Sequence, residues 1–167
     1  MAFLGCTTEN LHRFMPGYAQ LGPEERERIN EFSLVWQMFE ARLFGNRANA
    51  SKIKRTDWFE GYADDICHAA GESIEYFRER YFLAHDANPR LEALIAGLAG
   101  DNVRPSILAG LREGANSTKK VVGCGAICFR LRNNLFHGTK ANDGFAGQLN
   151  NFTHGIRFLN ACLSVHP

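Results

Sequence analysis

The stretch Lys119-Lys-Val-Val-Gly-Cys-Gly-Ala-Ile-Cys-Phe-Arg-Leu-Arg-Asn-Asn-Leu-Phe-His137 decides how this chain folds. Val121/Val122, Cys124, Ile127/Cys128, Leu131 and Leu135 recur at three- and four-residue steps, the period of a helix rather than of a strand. Gly138 stands where a C-terminal cap belongs. Beyond it, Asn142 or Asp143 is placed to cap a last helix, in which Phe145, Leu149, Phe152, Ile156, Leu159 and Leu163 step 4-3-4-3-4. That narrow seam fits antiparallel packing and would also serve a partner chain; core is the more ordinary use.

Upstream the same period continues. Gly22-Pro23 followed by Glu24, Glu25 and Glu27 is a helix start, with proline at the first helical position and acids at the positive end of the macrodipole. Ile29, Phe32, Trp36, Phe39 and Leu43 then form a stripe that Gly45 is placed to stop. From Thr56, read as an N-cap, a second stripe runs through Phe59, Tyr62/Ala63, Ile66, Ala70, Ile74, Phe77 and Tyr81, predicting one amphipathic helix of roughly 25–30 residues. Trp58 and Phe59 read as core anchors. Asn88-Pro89 starts a short helix, Ile107, Leu108 and Leu111 make another apolar set, and Gly110 to Ser117 is turn-rich. Gly114-Ala-Asn-Ser-Thr-Lys119-Lys120 is no phosphate loop, because it lacks the second glycine and a leading strand. The expectation is an all-α, antiparallel helical bundle of four to five main helices. It forms one domain over residues 1–167, with a poorly structured N-terminal segment of about 20 residues.

Composition agrees. The 167 residues are 45% apolar and 22% charged, enough to bury a core and too apolar for a disordered chain. No run approaches the length of a membrane span. Met1-Ala-Phe-Leu-Gly-Cys6 looks like a lipoprotein box but has no basic region before it, so a cytoplasmic location without membrane contact is expected. Five cysteines form no CxxC pair, and Cys124 and Cys128 read as buried and reduced rather than as half of a zinc site. No cofactor is implied. Net charge is +1, but residues 112–167 carry seven basic side chains against two acidic ones. Arg47, Lys52, Lys54 and Arg55 form a second basic cluster. Residues 46–57 and 112–120 are therefore candidate edges for an anionic partner, or simply solvated faces.

Chemistry concentrates in Arg130-Leu-Arg-Asn-Asn-Leu-Phe-His137-Gly138. On a helix Asn133 and His137 project together, Arg130 and His137 nearly eclipse, and Arg132 stands about 140° from His137. An imidazole titrates where acid–base work needs it, and a guanidinium matches phosphate oxygens. No carboxylate lies between Thr118 and Asp143, so this segment does not read as a metal chelator. Phosphoryl transfer is the chemistry these groups could do without metal; the plain alternative is a histidine at a helix C-terminus beside snorkelling arginines.

The string Arg132-Asn133-x3-His137-Gly138, with Leu135-Phe136 before the histidine, resembles the Arg-x4–6-His signature of HEPN domains, and most of all the Apea-like HEPN group. Its place near the end of a penultimate helix and the aromatic-rich helix from Phe32 to Phe44 are similar too. The specific likeness spans Arg130–Gly138. The resemblance implies a bundle that dimerises through its motif helices, so that two copies of Arg and His face one cleft. It also implies a metal-independent endoribonuclease of toxin–antitoxin or phage-defence systems, with RNA as substrate and an antitoxin or regulatory protein as a further partner. Catalysis falls to Arg132, Asn133 and His137; Arg130, Asn134, Lys119, Lys120 and Lys140 are then substrate-binding. Arg130 also satisfies the looser spacing, leaving open which arginine acts. HEPN-like bundles that bind RNA, nucleotide or protein without cutting are the competing expectation.

Overall fold

Gly22-Pro23 does open a helix. The Gly22 N–H donates to the Glu25 carboxylate at 3.1 Å, and Pro23 takes the first helical position, where a missing N–H is no loss. Gly45 closes it in the left-handed conformation, φ 56° and ψ 43°, open to glycine at no steric cost. The computed structural model describes residues 16–83, 86–96, 102–136 and 147–166. Among them run α1 (Pro16–Ala19), α2 (Pro23–Phe44), α3 (Ala50–Ile53), a 3-10 turn (Asp57–Phe59), α4 (Ala63–Ala69) and α5 (Gly71–Tyr81). A two-residue antiparallel ladder follows, β1 (Phe82–Leu83) on β2 (Asp86–Ala87), with Phe82 opposite Ala87. Then come α6 (Pro89–Ile95), α7 (Arg104–Leu111), α8 (Ser117–Phe136) and α9 (Leu149–Ser164). The expected all-α bundle is what the chain forms.

Its centre is α8. Asn116 starts the helix by accepting the Lys119 N–H on its side chain at 3.0 Å, and every residue from Val121 to Leu131 is buried. A helix sealed all round needs small residues where neighbours approach. At Gly110 and Gly123, α7 and α8 meet backbone to backbone: a Cβ on Gly110 would stand 2.4 Å from the Lys119 carbonyl oxygen and 2.9 Å from the Gly123 Cα. Trp58 closes over Gly125, confirming Trp58 and Phe59 as core. On α9, Phe152, Ile156 and Leu159 are buried, with Phe152 meeting Phe32 of α2 at 5.2 Å between ring centroids. The seam of α9 is thus used inside the chain. Cys124, Cys128 and Cys162 are free and buried; Cys67 is half-buried.

Three expectations need correction. The long helix from Thr56 to Tyr81 is broken: Thr56 makes no side-chain cap bond, Gly61 sits at φ +83°, and Ala70 leaves the helical region between α4 and α5. The periodicity survived the break because both pieces bury the same kind of face. Gly110 belongs to α7 rather than to a turn. Of the N-terminal segment expected to lack structure, Pro16–Ala19 is a helical turn and Leu21 is buried; residues 1–15, Cys6 included, lie outside the described residues. So do Gly138, Asn142, Asp143 and Phe145, and the described part of the last helix starts at Leu149. No helix among the described residues is long and apolar enough to cross a membrane.

The glycine contact makes a signed prediction. Replacing a helical glycine by alanine ordinarily stabilises by about 1 kcal/mol. At Gly110 the new methyl meets backbone that cannot swing aside, so Gly110→Ala should instead destabilise by about 3 kcal/mol. Urea unfolding of both proteins checks the sign; a gain in stability would mean that α7 and α8 are not packed this closely.

Candidate functional site

The described part of the motif segment, Arg130–Phe136, occupies the last two turns of α8, and its helix geometry splits it. Arg130 and Asn134 are four residues apart and share a face; Arg132 lies about 200° round the axis from Arg130. The two faces meet different neighbours.

Arg130 is fully buried. Its Nε and Nη2 donate to the Leu94 carbonyl at 3.3 and 3.2 Å, and Nη2 also reaches the Ala96 carbonyl at 3.2 Å and Asn134 Oδ1 at 3.4 Å. Asn134, itself buried, donates from Nδ2 to the Leu94 carbonyl at 3.0 Å. Leu94 and Ala96 lie at the C-terminal end of α6, where carbonyls have no partner within the helix and the partial charge is negative. Arg130 and Asn134 therefore cap α6 from the side. Both were expected to bind substrate; the structure places them under a neighbouring helix, away from solvent.

Arg132 faces the other way, toward α2, with 31% of its side chain exposed. Nη1 donates to Asn133 Oδ1 at 3.1 Å, and Nη2 stands 4.0 Å from Oε2 of Glu40. Asn133 is buried beside it. Glu40 is held in place by the Trp36 indole N–H, 2.9 Å from Oε2, and the Ala48 backbone N–H, 3.1 Å from Oε1. Sequence reasoning missed Glu40, although a signal was there. It sits four residues after Trp36 and three before Leu43, a carboxylate on the apolar stripe of α2.

Of the remaining expected residues, the two lysines that are described do not gather at this end. Lys119 and Lys120 are on the first turn of α8, about 20 Å along the axis from Arg132. His137 and Lys140 lie outside the described residues. In the other basic cluster Arg55 pairs with Asp57 at 2.6 Å and Lys54 donates to the Asn102 carbonyl at 3.3 Å. Lys52 and Arg55, with Leu43, Phe44, Asp57 and Trp58, line an open depression of about 250 Å³. Burial pushes the thiols of Cys124, Cys128 and Cys162 upward, away from the thiolate that binds metal or attacks. Among the described residues no three metal-binding side chains converge.

A second polar cluster joins α5 to α9. His154 stacks on Tyr76, centroids 4.0 Å apart and planes 10° from parallel, with Nδ1 3.3 Å from Ser73 Oγ. The Tyr76 hydroxyl donates to Asn151 Oδ1 at 2.9 Å, and Arg157 pairs with Glu72 at 3.2 Å. Burial, aided by Arg157 and opposed by Glu72, lowers the His154 pKa below its ordinary value.

Compared with models of protein families, with curated proteins and with solved structures, the chain finds no match in any of the three.

Two predictions follow from the site's partition and its histidine. Arg130→Met leaves the carbonyl end of α6 without its donors and should cost about 3 kcal/mol of stability, whereas Arg132→Ala, at a part-exposed pair, should cost less than about 1 kcal/mol. Equal costs in chemical denaturation would contradict the partition. For His154 the folded pKa lies below the unfolded one, so the unfolded chain binds the proton more readily. Its contribution to stability is whole above the unfolded value, near 6.5, and is lost as pH falls below it. Melting temperatures from pH 8 to pH 5 should fall less steeply in His154→Gln than in the parent; parallel curves would remove His154 from the account.

Proposed function

We propose that this chain is a metal-independent endoribonuclease that cuts RNA by attack of the 2′-hydroxyl on the adjacent phosphorus, acting as a homodimer in a toxin or phage-defence setting. One observation carries the choice of site. Of the two motif arginines, Arg130 is spent on capping α6, while Arg132 keeps a part-exposed guanidinium beside Asn133 at the end of α8. The likeness of Arg132–Gly138 to the HEPN signature supplies the reaction class.

In this reading His137 of one copy takes the proton from the 2′-hydroxyl as the oxygen attacks phosphorus. Arg132 offers two N–H groups to the non-bridging oxygens as charge builds on the pentacoordinate phosphorus. His137 of the second copy gives its proton to the departing 5′-oxygen. The products are a 2′,3′-cyclic phosphate and a 5′-hydroxyl. Two copies serve this reading because helical spacing would set Arg132 and His137 about 140° apart on one chain, whereas groups from two chains can converge. Lys119 and Lys120, about 20 Å from Arg132 along α8, are far enough away to hold phosphates several nucleotides from the cut. An antitoxin or regulator would act by covering this cleft.

Cleavage in EDTA tests the proposal, with total tRNA and a structured mRNA as substrates and the product ends identified. The parent should leave 2′,3′-cyclic phosphate ends, and His137→Ala and Arg132→Ala should each lower the rate at least about 100-fold while staying folded. Undiminished cutting by either variant would remove that residue from the site. A folded parent that binds RNA in a salt-dependent way yet never cuts it would make the chain a binding module instead.

A further inference from the structure

Glu40 has no part in the chemistry just described, yet both oxygens of its carboxylate are held by N–H donors. It lies on α2, 16% exposed, with Trp36 donating to one oxygen and the Ala48 amide to the other. Two N–H donors, one a turn earlier on α2 and one just past the end of that helix, hold both oxygens, so the carboxylate has little freedom to follow a partner. Arg132 must therefore come to it. At 4.0 Å the Arg132 Nη2 feels the charge without closing a hydrogen bond, and Nη1 is engaged by Asn133.

We propose that Glu40 is the positioning residue of this site: it holds the Arg132 guanidinium in the orientation that receives a phosphate oxygen in the transition state. The proposal rests on the ribonuclease reading for its reaction but not for its geometry. A long arginine left in solvent samples many rotamers, and each must be given up when phosphate binds. A fixed carboxylate on one flank, and Asn133 on another, remove that freedom beforehand. Glu40 also carries a negative charge close to where the phosphate arrives, so it opposes ground-state binding of RNA. Positioning without attraction gives a characteristic kinetic signature.

Glu40→Gln removes the charge while keeping the size. In the RNA cleavage assay kcat should fall about 10- to 100-fold, with KM unchanged or lower because the repulsion is gone. A purely structural role would lower the folded fraction and leave kcat per folded molecule alone. Because Gln satisfies only one of the two donors, Trp36→Phe serves as a second variant, keeping the carboxylate but freeing one of its oxygens; it should shift kcat in the same direction by less. The independent readout is the Arg132 Nε–Hε resonance in the nitrogen-15 spectrum of the RNA-free protein, assigned with Arg132→Lys. It should move and sharpen toward a freely rotating guanidinium in Glu40→Gln. If the parent cuts no RNA but this resonance responds, the positioning stands and the ribonuclease reading fails. If the resonance is unmoved in both variants, or kcat is unchanged with folded protein, the proposal is overturned.

Discussion

Everything in this fold is arranged around a helix that has no outside. From Val121 to Leu131, α8 is buried on every face, so each neighbour must be admitted at a particular distance. Glycines set those distances: Gly123 against Gly110 of α7, and Gly125 beneath Trp58. On α9, Gly155 does the same under the ring of Phe32, where a Cβ would stand 2.9 Å from a ring carbon. Close packing of this kind leaves little room for adjustment, because a core at crystal-like density registers even one added methyl group. The burial also explains why the cysteines of α8 behave as small apolar residues. Their thiols are held protonated by the same exclusion of water that stabilises the helix.

Much of this was legible in the sequence, and the reasons differ from element to element. The start of α2 could be read because Gly22, Pro23 and Glu25 are local signals whose physics does not depend on the rest of the chain. The same holds for Asn88, whose side chain caps α6 by accepting the Arg90 and Leu91 amides at 2.9 and 3.3 Å. The break within residues 56–81 could not be read from periodicity, which counts apolar positions and ignores what lies between them. Gly61, at positive φ, was the clue, and Ala70 gave none at all. Likewise the all-round burial of α8 exceeds its apolar stripe. Which face of Gly123, Gly125 or Ala126 is covered depends on partners distant in sequence.

The motif segment shows the same limit more sharply. Spacing aligned Arg130 with His137 and the resemblance favoured Arg132, because helical angles say which groups share a face and not what stands opposite. What stands opposite is decisive. The end of α6 presents bare carbonyls to one face, and an arginine there becomes a cap; α2 presents a carboxylate to the other, and an arginine there keeps an exposed edge. Two identical side chains, two residues apart, are thereby given different uses. Asn133 and Asn134 divide in step with them, the first accepting from Arg132 and the second joining Arg130 on the Leu94 carbonyl.

This division ties the site to the core more closely than a surface motif would be. Trp36 donates to Glu40 through its indole nitrogen and packs its ring 6.2 Å from that of Phe129, one turn before Asn133 on α8. The aromatic contact is one point at which α2 and α8 meet, and the indole N–H sets where the carboxylate is beside it. Arg132 is placed by both at once. A substitution that shifts α2 on α8 by a fraction of an ångström, without touching the motif, would therefore move the guanidinium relative to Glu40. A 4.0 Å pair has no hydrogen bond to resist such a shift. The site's geometry is accordingly a property of helix packing first and of the motif residues second.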